Sequence, residues 1–306
     1  MSVTPTPNFF IVGAPKCATT ALNRSLSHHP EVFIPKKKEA HYFGADLRFN
    51  HPRISYDGYV ALFRDAVGYA CVGEASVWYL YSKTAAQEIH DFLPEARIII
   101  MLRNPVDLVY SQHGHYLWNG DEDIHDFAQA LAAERDRESG RRIPPGTRFP
   151  DGLLYRRVGS LAPQVRRYVD AFPGDQIHIM LLDDLKREPG QSYQQVLRFL
   201  GVDDSPEHRL LKVNESRNVR SARVQRALNH PNRALATLRE GVRVAVPRRV
   251  RDRMVHSVAT LNIRTAPRSP MSPELRGELT EFFSDDVLEL ENVIGRDLSA
   301  WRTPER

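Results

Sequence analysis

Four short apolar runs set the tightest limit on how this 306-residue chain folds: FFIV at 9–12, YACVG at 69–73, RIIIML at 97–102 and IHIMLL at 177–182. Each is rich in β-branched or aromatic residues, and each largely lacks the apolar–polar alternation of a half-exposed strand. Strands buried on both faces of a parallel sheet read this way. Helical patterns lie between the runs. Ala21, Leu22 and Leu26 follow Thr20 up to a stop at Pro30. Pro105 stands where a first helical turn accepts proline, with Val106, Val109, Tyr110 and Leu117 along one side. Residues 160–171 and 192–201 predict two more helices, the second with Gly201 at C′. A last helix opens with Ser272 as N-cap and Pro273 at N1. Strands alternating with helices predict a three-layer α/β fold, a central parallel sheet flanked by helices with right-handed crossovers.

The length admits one large domain or two small ones, and 1–306 reads as a single domain with a flexible start over 1–7. The stretch ERDRESGRRIPPGTRFPDG, 134–152, is polar and rich in Pro and Gly, which predicts a long surface loop. Residues 214–270 are basic and weakly periodic, and read as loop, lid and helical segments on the same domain. Arg209 to Arg253 hold thirteen Lys/Arg against three acids, a charge of +10 in a chain whose net charge is +4. Such a segment points to a polyanionic ligand, an anionic acceptor or a membrane surface, and equally to solvated helix faces. With only Cys17 and Cys71, a disulfide scaffold and a cysteine-rich zinc site are both excluded. No apolar stretch approaches the roughly 18–20 residues of a membrane helix. The start, MSVTPTPN, has neither a basic nor a long apolar region, so a cytoplasmic protein is the expectation.

The sequence FFIVGAPKCATTAL at 9–22 passes from strand to helix through a loop at the carboxyl edge of the sheet, where open α/β folds bind ligands. Main-chain N–H groups from Lys16 through Cys17, Ala18 and Thr19 to Thr20 are expected to face outward at a helix start and to favour an anion. Lys16 adds charge, and the two threonines add hydroxyls. The spacing is P-loop-like, yet the second glycine of the nucleoside-triphosphate loop is absent. A surface turn with a solvated lysine is the plainer reading of this loop alone. Directly after the third strand, RNPVDLVYS at 103–111 sets Arg103 at the same sheet edge and Ser111 on the helix that Pro105 opens. Arginine and hydroxyl there form a second phosphate clamp, unless Asp107 simply pairs with Arg103.

Two anion sites on one edge fit a nucleotide phosphorylated at two separated places. PKCATTAL resembles the 5′-phosphosulfate loop, P-K-x-x-x-T-x-x-L, of sulfotransferases that use 3′-phosphoadenosine 5′-phosphosulfate (PAPS). RNPVDLVYS is similar to their 3′-phosphate motif, R-x-P-x-D-x-x-x-S. KKEAHYF at 37–43 resembles the K-E-x-H-F-F stretch of the bacterial and heparan-sulfate, carbohydrate-type branch, and GEASVWYLYS at 73–82 stands in the place of its G-E-K-T-P-x-Y segment. The likeness extends over residues 8–201, and the closing VIGRDLSAW looks like the ending of bacterial members.

The resemblance implies in-line sulfuryl transfer from PAPS to an acceptor hydroxyl or amine, leaving 3′,5′-diphosphoadenosine, with no metal required. Lys16 matches the residue at the leaving phosphate, Arg103 and Ser111 the 3′-phosphate clamp, and Glu39 the base that takes the acceptor's proton. Glu39 follows Lys36, Lys37 and Lys38, so a salt bridge is its plainer reading. His41 matches an acceptor-side position. His115, one turn beyond Ser111, matches a histidine that stabilises the moving group or shares base duty; His113 is expected to point elsewhere. Ser76, Trp78 and Tyr79 follow the second strand, where ring contacts to adenine occur, although Trp78 reads equally as core. Arg217, Arg220 and Arg223 stand where related chains carry a closing loop, without its K-G-R form. Leu161 replaces a common tyrosine.

A P-loop kinase or nucleotide hydrolase is the rival enzyme, and a basic polyanion-binding protein the rival of another class. Lys16 and Glu39 together argue against a non-catalytic relative. The acceptor stays open among carbohydrate, glycolipid and other small-molecule or natural-product classes. Peripheral membrane contact and oligomeric state also stay open, and no nucleic-acid partner is expected, since no nucleic-acid motif accompanies the basic segment.

Overall fold

A computed structural model describes residues 5–205, 207, 209–211, 218–219, 263–264 and 269–303. Strands β1 (Phe9–Gly13), β2 (Val32–Phe33), β3 (Cys71–Ala75), β4 (Arg97–Leu102) and β5 (Ile177–Leu181) form one parallel sheet in the order β2-β3-β1-β4-β5. Ile11 of β1 pairs with Ala75 on one side and Ile99 on the other. Every residue of β1 and β3 is buried, and all of β4 but Arg97. Neither face of these strands meets water, which is why their sequences do not alternate.

The main helices are α1 (Thr19–Leu26), α2 (Ala85–Phe92), α3 (Pro105–Asn119), α4 (Ala162–Ala171), α5 (Pro189–Leu200) and α6 (Pro273–Ile294). Local chemistry starts two of them. The Asn104 side chain accepts from the Val106 N–H at 2.9 Å, and Ser272 accepts from the Leu275 N–H at 3.3 Å. Helix α4 has no cap of its own. Its first N–H groups, on Leu161 and Ala162, donate to Asp286 of α6 at 2.8 and 3.3 Å, and burial pushes that carboxyl up to about 6. Arg276 of α6 also reaches Asp107 of α3 at 2.7 Å, so the late helix is tied to the helix beside the expected anion site. A short antiparallel pair, β6 (Asn218–Val219) with β7 (Ile263–Arg264), places β6 against α3. Among the described residues no helix is long and apolar enough to cross a membrane.

The structure differs from the sequence reading in four places. Strand β2 has two residues, too few to show any periodicity. The YACVG strand lies two residues later, at 71–75, because the Asn8 side chain bonds to the main chain at Ala70 and Val72, and it ends on Glu74 and Ala75. The final residue of IHIMLL, Leu182, opens a helical turn, Leu182–Arg187, instead of ending the strand. The segment 134–152 is a surface loop only in part, with 138–142 exposed. It contains helical turns at Glu134–Glu138 and Pro150–Leu153, and Arg137, Thr147, Phe149 and Leu153 are buried.

Its polar composition is consumed internally. Arg137 Nη2 lies 2.8 Å from Glu122 Oε1, with both side chains fully buried. Glu122 also accepts from the Tyr155 hydroxyl at 2.7 Å and from the N–H groups of Asp123 and Ile124 at 2.8 and 2.9 Å. Removing one partner of such a pair leaves an uncompensated buried charge. Arg137→Met is therefore expected to lower unfolding free energy by about 3–5 kcal/mol in urea titrations, with a smaller loss when Glu122→Gln is added.

Candidate active site

The loop from β1 to α1 ends in a helix start that nothing caps. Ala18, the N-cap residue, has φ 64° and offers no side-chain acceptor. Among the described residues, the N–H groups of Lys16 to Thr20 donate to no main-chain acceptor. Lys16 also has φ 63°, and two left-handed non-glycine residues so close together curl successive N–H groups to one side of the loop. Each such conformation costs on the order of 1–2 kcal/mol, and strain of this kind collects at binding sites. Gly13 is needed just before it, since a Cβ there would lie 2.5 Å from the Val77 carbonyl oxygen at φ +143°. Cys17 is wholly buried, and burial pushes its thiol up to about 12, so it fills space rather than reacts.

Three cations face this loop. Arg103, at the end of β4, reaches the Lys16 carbonyl in a long 3.5 Å contact and Asp107 at 3.7 Å, and its Nε is buried without a partner. The ion pair anticipated as the plainer reading of Arg103 therefore exists, but Arg276 holds the same carboxylate more closely. Lys38 Nζ donates to Thr20 Oγ1 at 2.9 Å and Thr19 Oγ1 at 3.4 Å. Burial, then the charge of Arg103, lowers the Lys16 ammonium below the usual lysine range, and Lys38 adds to the effect. Cations that repel one another around unpaired N–H groups make a site that an anion relieves.

The segment carrying Glu39 and His41 is fastened to the end of β3. Glu39 and His41 have φ 62° and 48°, and the Glu39 N–H donates to the Ala75 carbonyl at 2.9 Å. The His41 N–H donates to Ser76 Oγ at 3.1 Å, and the Tyr42 N–H donates to the Tyr79 hydroxyl at 2.9 Å. Both hydroxyls in turn donate to Glu74, as does Tyr59 at 3.0 Å. Glu74 is 3% exposed, and burial raises it to about 7 against these three donors. Glu39 lies 3.6 Å from Lys38 with 38% of its side chain exposed, so its salt bridge is present and leaves the carboxylate reachable.

His41 stacks on Phe49 at 4.2 Å, and Phe49 continues to His51 at 5.2 Å and to Phe149 at 4.7 Å. His115 accepts at Nε2 from the Asn119 amide at 3.0 Å, which places its ring proton on Nδ1. The charge of Lys16 bears on His115, whereas His113 is buried and pairs with the Ile124 carbonyl at 2.8 Å. Lys16, Thr19, Thr20, Arg103, Glu39 and His115 thus come to one edge of the sheet.

Ser111 lies two turns into α3 and is half-buried, and among the described residues no hydrogen bond joins it to Arg103. Trp78 is packed as core. It is 6% exposed, 4.5 Å from Phe149 and 5.9 Å from Tyr81, because the supposed surface loop folds back over it. Arg217, Arg220 and Arg223 lie outside the described residues. The sequence reading missed Glu74, for which a lone acid inside an apolar strand was the available signal. It also missed Arg148, which holds buried Asp121 at 2.7 Å and bears on His115; nothing local marked it. Among the described residues no cluster of three or more His, Cys, Asp or Glu converges as a metal site does.

Residues 6–243 match the family model described as the sulfotransferase domain. The chain is 28% identical to the bifunctional heparan sulfate N-deacetylase/N-sulfotransferase 2 of Bos taurus, over 64% of this chain and 22% of that protein. It is 30% identical to carbohydrate sulfotransferase 15 of Homo sapiens, over 64% of this chain and 44% of that protein. It therefore spans less than half the length of either curated relative. The crystal structure of a sulfotransferase from Alicyclobacillus acidocaldarius superposes with a TM-score of 0.71 at 34% identity, over 98% of this chain and 100% of that one.

The two histidines carry a pH signature. Burial first, then neighbouring positive groups, holds His41 and His115 down to about 3, so both are neutral at pH 7. A histidine held below its unfolded value of 6.5 contributes stability that is present above that pH and lost as the pH falls towards 3. Glu74, raised to about 7, has the opposite sign: its contribution is full below its unfolded 4.5 and lost as the pH rises through 7. Comparing wild type with His115→Gln isolates one proton. Below pH 6 the variant is expected to lose about 1.4 kcal/mol less per pH unit in urea unfolding at stepped pH.

Proposed function

This chain belongs to the sulfotransferase domain family, and on that premise we propose that it transfers a sulfuryl group from PAPS to a hydroxyl or amine of a carbohydrate-type acceptor. The observation that carries the reading is the convergence of Lys16, Arg103 and Lys38 on an uncapped helix start with Glu39 alongside. PAPS, when bound, supplies an electrophilic sulfur on a phosphate leaving group. The residues fit such a donor: main-chain N–H groups from Cys17 to Thr20 hold the 5′-phosphate, and Lys16 stabilises the charge that grows there as the sulfur–oxygen bond breaks. The buried, unpartnered Nε of Arg103 is available to a 3′-phosphate, with Ser111 as the candidate hydroxyl. Glu39 takes the acceptor's proton while the acceptor oxygen or nitrogen attacks sulfur. Neutral His115 donates from Nδ1 to the moving oxygens.

A carbohydrate-type acceptor is supported by the named relatives and by the side of the site that Glu39 faces. There the stacked rings of His41, Phe49 and His51 run from buried to exposed, with Arg148 near Glu39. Rings and a cation suit a sugar face carrying polar or anionic groups.

Calorimetric titration with 3′,5′-diphosphoadenosine tests the donor reading. Binding is expected to persist in EDTA and to weaken roughly tenfold or more in Lys16→Ala and in Arg103→Ala, the size of losing a charged hydrogen-bond partner. Glu39→Gln is expected to keep that affinity while losing about 10²–10⁴ in turnover against a saccharide acceptor. Preference for ATP with Mg²⁺ over 3′,5′-diphosphoadenosine would instead favour the kinase reading.

A further inference from the structure

Lys38 has no role in the reading above beyond its charge, yet its position is specific. Its side chain is 20% exposed, and its three ammonium protons have three acceptors within reach: Thr20 Oγ1 at 2.9 Å, Thr19 Oγ1 at 3.4 Å and Glu39 Oε1 at 3.6 Å. An ammonium only donates, so both threonine oxygens must accept from it. Each hydroxyl then has one proton left, and that proton turns away from Lys38. Thr19 is buried at the start of α1, in the loop whose N–H groups lack acceptors, so its free proton joins those donors. Ala75, whose carbonyl anchors the Glu39 N–H, supplies no charge of its own.

We infer that Lys38 is the positioning residue of this site: it fixes Thr19 and Thr20 as donors to an anion in the loop and holds the Glu39 carboxylate beside them. The inference rests on the donor reading given above. In the structure Lys38 joins the phosphate loop to the proton acceptor. An anion arriving in the loop competes with Glu39 for the ammonium, which loosens the pair at the moment a base is needed. Lys16 contributes charge from the loop itself and Arg103 from the end of β4, and neither hydrogen-bonds a threonine hydroxyl among the described residues.

The test is a double-mutant cycle on the full chain, read by calorimetric titration with 3′,5′-diphosphoadenosine. Lys38→Met keeps the length of the side chain and removes its protons and charge; Thr20→Val removes one oriented hydroxyl. Lys38→Met is expected to weaken binding about tenfold and Thr20→Val by less, with the double variant no weaker than Lys38→Met alone. Lys38→Arg, which still donates to hydroxyls, is expected to recover most of the affinity while lowering turnover, because a guanidinium sits differently against Glu39. A merely structural lysine would give losses that multiply. Multiplying losses, or a Lys38→Met affinity within twofold of wild type, would overturn the inference while wild-type binding keeps the donor reading intact. If Lys38→Met does not fold, the same cycle is read with Lys38→Gln. Absence of wild-type binding removes the donor reading and this inference with it.

Discussion

Everything at the site hangs on β1 being a strand with no wet side. It lies between β3 and β4, its five residues are buried, and its main-chain groups are spent on both neighbours. The chain can only leave it through the carboxyl edge. The loops after β1, β3 and β4 are therefore neighbours, and Lys16, Ser76 and Arg103 arrive at one place without any of them choosing it. The Arg103 contact with the Lys16 carbonyl is the direct trace of that adjacency.

Beneath the site a second constraint operates, a buried carboxylate with three hydroxyl donors. Glu74 spends the protons of Ser76, Tyr79 and Tyr59, which leaves the oxygens of Ser76 and Tyr79 to accept from the main chain of 41–43. A left-handed Glu39 and a left-handed His41 need such over-determination to persist. Burying a glutamate is costly, and its hydroxyl partners offset that cost while fixing a loop. The site's charge balance is the reverse. Lys16, Lys38 and Arg103 outnumber Glu39, and the repulsion among them is what lowers Lys16 beyond the effect of burial. A scaffold satisfied below and unsatisfied above is one poised for an anion.

The α6 helix shows how far apart the controlling residues lie. Asp286 caps α4 and Arg276 shares Asp107 with Arg103, so this one helix holds both a distant helix and the neighbourhood of the anion site. Among the arginines, Arg137 and Arg148 read as loop surface in sequence, yet each secures an acid in the fold, Glu122 and Asp121.

The sequence alone determined the parallel sheet, because β-branched runs without alternation have no stable half-exposed form, and it placed Lys16 and Arg103 at the sheet's carboxyl edge, because each lies directly after a strand. It also marked Glu39, through a resemblance and not through its own chemistry. Only the tertiary structure decided that Arg137, Thr147 and Phe149 within 134–152 are buried, since Arg137 finds Glu122 fifteen residues away and composition cannot show a pairing. It likewise decided that Trp78 packs under Phe149 and that Lys38 points to Thr19 and Thr20. Contacts between residues far apart in the chain depend on which faces the sheet brings together, and no local pattern of spacing or charge records that.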